Sequence, residues 1–333
     1  MPAPACASDR LEECPVTLAS PLFIVMNTGS GSRDAAVTEA TVRGVLTQAG
    51  RRHALWRAHD PRQLPMLAQR AVEQAQQQQG VVVAAGGDGT INAVAQVVLK
   101  SGCAFGVLPQ GTFNYFSRTH GIPLDTAEAT SALLHARVRP VQVGLLNDRV
   151  FLVNASLGLY PQLLEEREAY KQQFGRHRLV AVEAGVVTLL RAHRPLRLRL
   201  EHAGEVRMLR TATLVVGNNP LQLQQLGLPE ARAVQQGQLA AIAVRPVGLL
   251  AMIGLLLRGA LGRLADADHI VNFACDRLTV RPYGRRRLKV AMDGEVAWLT
   301  SPLVFQVAPH SLPLLVPTRD SPASPAPATV EAP

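Results

Sequence analysis

Two rhythms of hydrophobic and polar positions alternate through the first 140 residues. Short apolar runs at 22–26, 51–56 (RRHALW), 81–85 and 104–109 (AFGVLP) have the length and composition of buried strands. Between them apolar residues recur at helical spacing. Val42, Val45, Leu46 and Ala49 share one face of a helix predicted over 33–49, and Gly50 is suited to end it. A second helix is predicted over 64–79, and Ile91, Val94, Ala95 and Val98 mark a third. Asp125 and Glu128 form a D-x-x-E capping box for a helix expected to end near Val138. Strands alternating with helices imply a mainly parallel sheet covered on both faces.

Near residue 140 the pattern changes. Residues 141–146, Asn147-Asp148 and residues 150–153 read as a hairpin. Further strand patterns follow at 196–200, 211–217, 239–244, 277–282, 287–292 and 303–308, mostly without helices between them. They predict an antiparallel sandwich or barrel. Helices near 161–174 and 177–193, and an apolar one near 247–264, interrupt it. The expected organisation is therefore a disordered start (1–18), an α/β domain (19–140) and a β-rich domain (141–309). A segment at 310–318 is expected to return to the first domain, before a Pro- and Ala-rich tail (319–333) without order.

A length of 333 residues agrees with about two domains. The net charge of +9 favours partners that carry negative charge: nucleotides, nucleic acid or an anionic membrane surface. Cys6, Cys14, Cys103 and Cys275 have neither zinc nor disulfide spacing and read as reduced thiols. The histidines lack ligand spacing, so a His/Cys metal site is not expected. The N-terminal stretch lacks a basic region followed by an apolar core, and no stretch reaches the ~18 apolar residues needed to cross a bilayer. The expected location is cytoplasmic, with peripheral contact at the inner face of the membrane as an option.

Candidate chemistry starts with GGDGT at 86–90. Gly86, Gly87 and Gly89 stand at the carboxyl end of a buried strand, where open α/β sheets bind ligands. Glycine lets a ligand approach the backbone, and the following helix offers free N–H groups to phosphate. Asp88 would repel an anion directly. It suits a Mg²⁺-holding carboxylate or a base. An anion cradle beside a carboxylate suggests phosphoryl transfer from a nucleotide, although Gly-Asp-Gly alone serves equally as a tight turn with Asp88 as helix cap. G-x-x-x-x-G-K-[ST] does not occur, and Asn92 stands where G-x-G-x-x-G needs its third glycine. Two further glycine-bearing loops, NTGSG (27–31) and LPQGTFNYFSR (108–118), follow the first and fourth strands and should emerge at the same sheet edge.

NTGSG, GGDGTIN and GTFNYFSR, with AMDGEVAW at 291–298, resemble the signature elements of the diacylglycerol kinase catalytic-domain family, which includes bacterial lipid kinases and sphingosine kinases. The resemblance covers roughly 20–317 and keeps the motif order. It implies a phosphofructokinase/NAD-kinase-like α/β nucleotide domain followed by a β-rich sandwich domain, with the site between them. It implies ATP, Mg²⁺ and a lipid with a free hydroxyl: diacylglycerol, a sphingoid base or phosphatidylglycerol. Carried onto this chain, Asn27, Gly29 and Gly31 lie near the nucleotide, and Gly86, Gly87, Asp88, Gly89 and Thr90 surround the phosphates. Thr112 and Asn114 contact nucleotide from the fourth-strand loop. Asp88 serves as metal-site carboxylate or base. Glu295 receives the hydroxyl proton, supported by Asp293. Alternation along a regular strand would put Asp293 and Glu295 on one side, unless Gly294 interrupts it.

Three positions depart from the family pattern. Tyr115 follows Asn114 where an aspartate is usual, and Gln142 and Gln236 stand where acids of a structural Mg²⁺ site are common. Glutamine offers a carbonyl but no charge, so direct amide hydrogen bonds are expected in place of that metal. The apolar stretch at 245–264, bracketed by Arg245, Arg258 and Arg263, could lie among lipid headgroups, line an acyl-chain pocket or pack into the core. The basic stretch RPYGRRRLK (281–289) could meet anionic headgroups or be a solvated hairpin tip. Nucleic acid is not expected, because few aromatics accompany the cations. A NAD-kinase-like enzyme for a soluble substrate and a non-catalytic nucleotide- or lipid-binding module remain alternatives.

Overall fold

The computed structural model describes residues 20–29, 35–162, 164, 195–264 and 269–318. The amino-terminal half runs β1 (Leu22–Asn27), α1 (Ala35–Gln48), β2 (His53–Ala58), α2 (Leu64–Gln78), β3 (Val81–Gly86), α3 (Asp88–Ser101), β4 (Ala104–Pro109), α4 (Tyr115–Thr119), α5 (Thr126–Leu134) and β5 (Arg137–Val141). Its sheet has the order β2-β1-β3-β4-β18-β5, where β18 (Leu312–Val316) comes from the end of the chain. The strands are parallel except β5, which runs antiparallel to β18.

The alternation of side chains along each strand feeds two cores. Phe23, Val25, Val82 and Ala84 pack with Leu67, Val72, Ile91 and Val98 of α2 and α3 on one face. Leu22, Ile24, Val81 and Val83 pack with Val42 and Leu46 of α1 and Leu133 of α5 on the other. A strand buried on both faces has no polar position to spare, which is why these runs read as continuously apolar.

The remaining strands are β6 (Gly144–Leu146), β7 (Arg149–Phe151), β8 (Asn154–Gly158), β9 (Leu196–His202), β10 (Glu205–Thr211), β11 (Thr213–Gly217), β12 (Leu239–Val244), β13 (Ile270–Cys275), β14 (Arg277–Pro282), β15 (Arg287–Met292), β16 (Glu295–Thr300) and β17 (Leu303–Val307). Two helices, α6 (Pro220–Gln225) and α7 (Ala231–Gln235), lie between β11 and β12, and α8 (Leu249–Ala260) follows β12. The strands form two sheets, β10-β9-β14-β17-β6-β7 and β13-β12-β11-β8-β15-β16. Leu146, Phe151, Leu157, Leu198, Leu214, Val290 and Phe305 fill one core between them. This is a sandwich, and among the described residues its strand pairings are antiparallel.

Two sequence expectations change. The helix capped by Asp125 stops at Leu134, and residues 137–141 instead form β5, pairing Leu315 with Val138. Helical spacing cannot register a partner strand supplied from the far end of the chain. Strands β8, β10, β13, β16 and β18 also escaped the pattern, because half-exposed or short strands carry a weak alternation. The helices expected near 161–174 and 177–193, like the termini 1–18 and 319–333, lie outside the described residues apart from 161, 162 and 164.

Candidate active site

Because β1, β3 and β4 are parallel neighbours, their carboxyl ends open onto one edge of the sheet. The turn after β3 is tight for a steric reason. A methyl on Gly86 would stand 2.6 Å from the Thr90 side chain, and one on Gly111 would stand 2.8 Å from Asn114 Oδ1 and 3.0 Å from Gly87 Cα. The β3 and β4 loops thus touch backbone to backbone, and Gln110 N–H continues the ladder to the Gly86 carbonyl at 2.8 Å. From β1, Asn27 Nδ2 donates to Thr90 Oγ1 at 2.9 Å, and Asn27 Oδ1 accepts from Gly29 N–H at 3.0 Å. The structure therefore joins Asn27, Gly29, Gly86, Gly87, Gly89, Thr90 and the 110–114 loop around the start of α3. Gly31 lies outside the described residues.

Asp88 is the first residue of α3 after its N-cap Gly87. The first N–H groups of a helix lack intrahelical acceptors, so this end presents free donors and positive potential. Asn114 adopts a left-handed backbone, φ 50°, and its N–H donates to Asp88 Oδ2 at 3.1 Å. The Asn114 amide closes its own loop, accepting from Gly111 N–H at 2.9 Å and donating to Gly111 O at 2.8 Å. Thr112 is exposed beside it. Asp88 Oδ1 is buried and has no hydrogen-bond partner. Burial raises the Asp88 pKa, while N–H groups led by Asn114 pull it down. An unpartnered carboxylate oxygen beside free helix N–H groups fits a cation that arrives with phosphates. Among the described residues no three His, Cys, Asp or Glu side chains could hold a metal by themselves.

The opposite wall comes from the sandwich. Asp293-Gly294 is a two-residue turn between β15 and β16, with φ 47° and 92° and Met292 facing Glu295. The alternation expected for Asp293 and Glu295 is therefore broken by the turn. Asp293 accepts from Leu152 N–H and Asn92 Nδ2, both at 2.7 Å, from Val153 N–H at 2.8 Å and from Asn154 N–H at 3.0 Å. Burial opposes ionisation of this carboxyl, yet every partner is a donor, so only the carboxylate is matched. Asp293 is thus committed to holding the turn. Glu295 is free to face the first domain. A methyl on Gly89 would stand 2.9 Å from Glu295 Oε1. Glu295 therefore stands against the residue that follows Asp88 at the start of α3.

Residues 21–146 match the model of the diacylglycerol kinase catalytic domain, and residues 166–316 match that of the YegS C-terminal NAD kinase beta sandwich-like domain. The chain therefore carries a diacylglycerol kinase catalytic domain followed by a YegS-type C-terminal domain. It is 26% identical over 233 residues to a protein of Bacillus subtilis (strain 168) named diacylglycerol kinase, covering 68% of this chain and 74% of that one. It is 40% identical over 79 residues to a Klebsiella pneumoniae (strain 342) protein named probable lipid kinase YegS-like, a match spanning 23% of this chain and only 27% of that one. An uncharacterized Synechocystis protein is 23% identical over 246 residues, and the match covers 55% of its length. The fold resembles the crystal structure of a diacylglycerol kinase from Bacillus anthracis str. Sterne, with TM-score 0.65 at 18% identity over 91% of this chain and 98% of that one.

Within this diacylglycerol kinase fold, Tyr115 stacks on Phe113 with ring centroids 6.0 Å apart. It also lines a cavity of about 450 Å³ with Gln222, Gln225, Leu226 and Gly259, none of them charged. Gln142 Nε2 donates to Asn218 Oδ1 at 2.7 Å and to Gln238 O at 3.0 Å. Gln236 is exposed just after α7, and its segment meets Gln142 through the Gln238 carbonyl. The turn through Gly237, φ 94°, carries the chain from one to the other. Sequence reasoning overlooked Asn92 and Gln96 as contacts. Their signal was two polar residues one helical turn apart among the apolar positions of α3.

Proposed function

We propose that the chain is an ATP-dependent kinase that phosphorylates a free hydroxyl of a lipid such as diacylglycerol, a sphingoid base or phosphatidylglycerol. The observation that carries this reading is the packing of Glu295, from the sandwich, against Gly89, the residue after Asp88 at the helix N-terminus. Gly86 to Thr90, Asn27, Gly29 and the loop bearing Thr112 and Asn114 would hold the triphosphate. Helix N–H groups favour its charge. Mg²⁺, when bound with ATP, would neutralise that charge beside Asp88. The acceptor oxygen forms a bond to the γ-phosphorus as the bond to the β–γ bridging oxygen breaks and ADP departs. Glu295 takes the acceptor's proton. Phosphoryl transfer needs positioning and charge neutralisation rather than covalent help, and this site offers both.

The uncharged cavity beside Tyr115 is the space for the acceptor. Lipid contact is supported by α8, which buries Leu255 and exposes Leu257, with Leu261, Arg258 and Arg263 also exposed nearby. Trp298, exposed on β16 between Arg287 and Lys289, adds an amphipathic ring with cations 5.9 and 5.4 Å from its centroid. Among the described residues no helix is long and apolar enough to cross a membrane, so contact would be peripheral. The test is phosphate transfer from labelled ATP to a panel of lipid and soluble acceptors. Transfer to a lipid is expected, falling about a hundredfold or more in Asp88→Asn and Glu295→Gln. Transfer to soluble acceptors alone, or wild-type turnover in Glu295→Gln, overturns the reading.

A further inference from the structure

Two contacts on one face of α3 reach the turn that carries Glu295. Gly89 meets Glu295, and three residues further Asn92 Nδ2 donates to Asp293 Oδ2 at 2.7 Å. The same nitrogen donates to Val150 O at 2.9 Å, so both amide protons are committed and the orientation of the amide is fixed. Asp293 in turn gathers the N–H groups of Leu152, Val153 and Asn154 at the start of β8 and shapes the turn that delivers Glu295. Its left-handed backbone is unfavourable for a residue with a side chain and persists because these bonds hold it.

We propose that Asn92 is a positioning residue. Its amide ties the helix that begins with Asp88 to the turn that carries Glu295, and so sets the separation of the two carboxylates. The catalytic consequence rests on the kinase reading above; the mechanical one rests on the hydrogen bonds alone. Gln96 supplies an internal control. One turn along α3, it accepts from Val150 N–H at 2.7 Å and donates to Asp148 O at 3.1 Å. It joins the same helix to the same domain without touching the 293–295 turn.

Asn92→Ala, Asn92→Asp and Gln96→Ala are compared by kcat, by KM for ATP, by melting temperature and by amide hydrogen exchange. Asn92→Ala is expected to lower kcat about tenfold to a hundredfold, the cost of misplacing a reacting group by about 1 Å, with KM for ATP within about twofold. Gln96→Ala is expected to lower the melting temperature comparably and to leave kcat within about twofold. Asn92→Asp sets a second carboxylate against Asp293. Its activity should be lowest at neutral pH and recover toward acid, where a shared proton restores a donor. The wild type, which needs ionised carboxylates, loses activity in that direction. Exchange across 293–296 and 152–154 should quicken in Asn92→Ala and not in Gln96→Ala. Wild-type kcat in Asn92→Ala, or an equal kcat loss in Gln96→Ala, overturns the positioning role. Unchanged exchange across 293–296 overturns the tie. Exchange needs no substrate, so it decides the tie even if the wild type phosphorylates no lipid.

Discussion

A methyl group at Gly89 would sit 2.9 Å from Glu295 Oε1, closer than a carbon and an oxygen approach without bonding. Nothing in the backbone of Gly89 demands glycine. It lies in the first turn of α3, where alanine is the better helix former by up to about 1 kcal/mol. Gly89→Ala should therefore keep or raise the melting temperature while lowering kcat about tenfold by pushing the carboxylate aside. An unchanged kcat would mean that the contact is dispensable. Asp88 separates stability from activity in the opposite sense. Burial raises its pKa, so the folded chain keeps the proton to higher pH than the unfolded chain does. Its contribution to stability is present below the ordinary carboxylate range and is lost as pH rises through the folded pKa. Asp88→Asn, impaired in transfer, should melt above wild type at pH 7, with the difference closing toward pH 3. A thermal scan against pH checks this. At this scale the sequence was informative where a residue type is chemically unusual for its place: a carboxylate among glycines, or D-G-E late in the chain. It was silent on Asn92, whose importance depends on an acceptor in the other domain.

Among the elements, the β15–β16 hairpin matters most. Asp293-Gly294 is a strong two-residue hairpin signal, since both positions take positive φ. Gly294 has no neighbour within 4 Å of an added methyl, so Gly294→Ala would cost only the left-handed strain, about 1–2 kcal/mol. Asp293→Ala would strand four donors, each costing about 1–3 kcal/mol when buried without a partner, less whatever water recovers. Chemical denaturation should rank Asp293→Ala well below Gly294→Ala in stability; the reverse order would contradict the clasp. Legibility among elements followed the continuity of the apolar run, since the short β8 and β18 were missed although buried. The strands buried on both faces and the amphipathic helices α1, α2 and α3 stood out from periodicity. Residues 137–141 did not, because their strand character comes from pairing with β18.

For the whole molecule, the net charge of +9 and the exposed cluster of Arg281, Arg285, Arg286 and Arg287 make electrostatic attraction to anionic surfaces the dominant long-range force. Cosedimentation with phosphatidylglycerol-containing vesicles should exceed that with neutral vesicles and fall severalfold between about 50 and 500 mM salt, as screening shortens its range. Salt-independent binding would point to apolar insertion through α8 instead. The amide network of Gln142, Asn218 and Gln238 makes a second whole-molecule expectation. Without nucleotide, a chelator should leave the melting temperature unchanged, because amides and carbonyls satisfy one another there without a cation.

The sequence by itself determined the local order. Continuous apolar runs had to be buried strands, helical spacing had to form their covers, and glycines beside an aspartate at a strand end had to form a tight polar turn. Those follow from the periods of backbone geometry and from the cost of burying polar groups, both readable within a few neighbours. The tertiary structure alone decided what faces what. It slotted the last strand, whose return to the first domain was expected, between β4 and β5, turned Asp293 inward onto four donors, and set Glu295 against Gly89. Contacts between residues far apart in the chain depend on how two separately packed cores dock, and no local period encodes that distance.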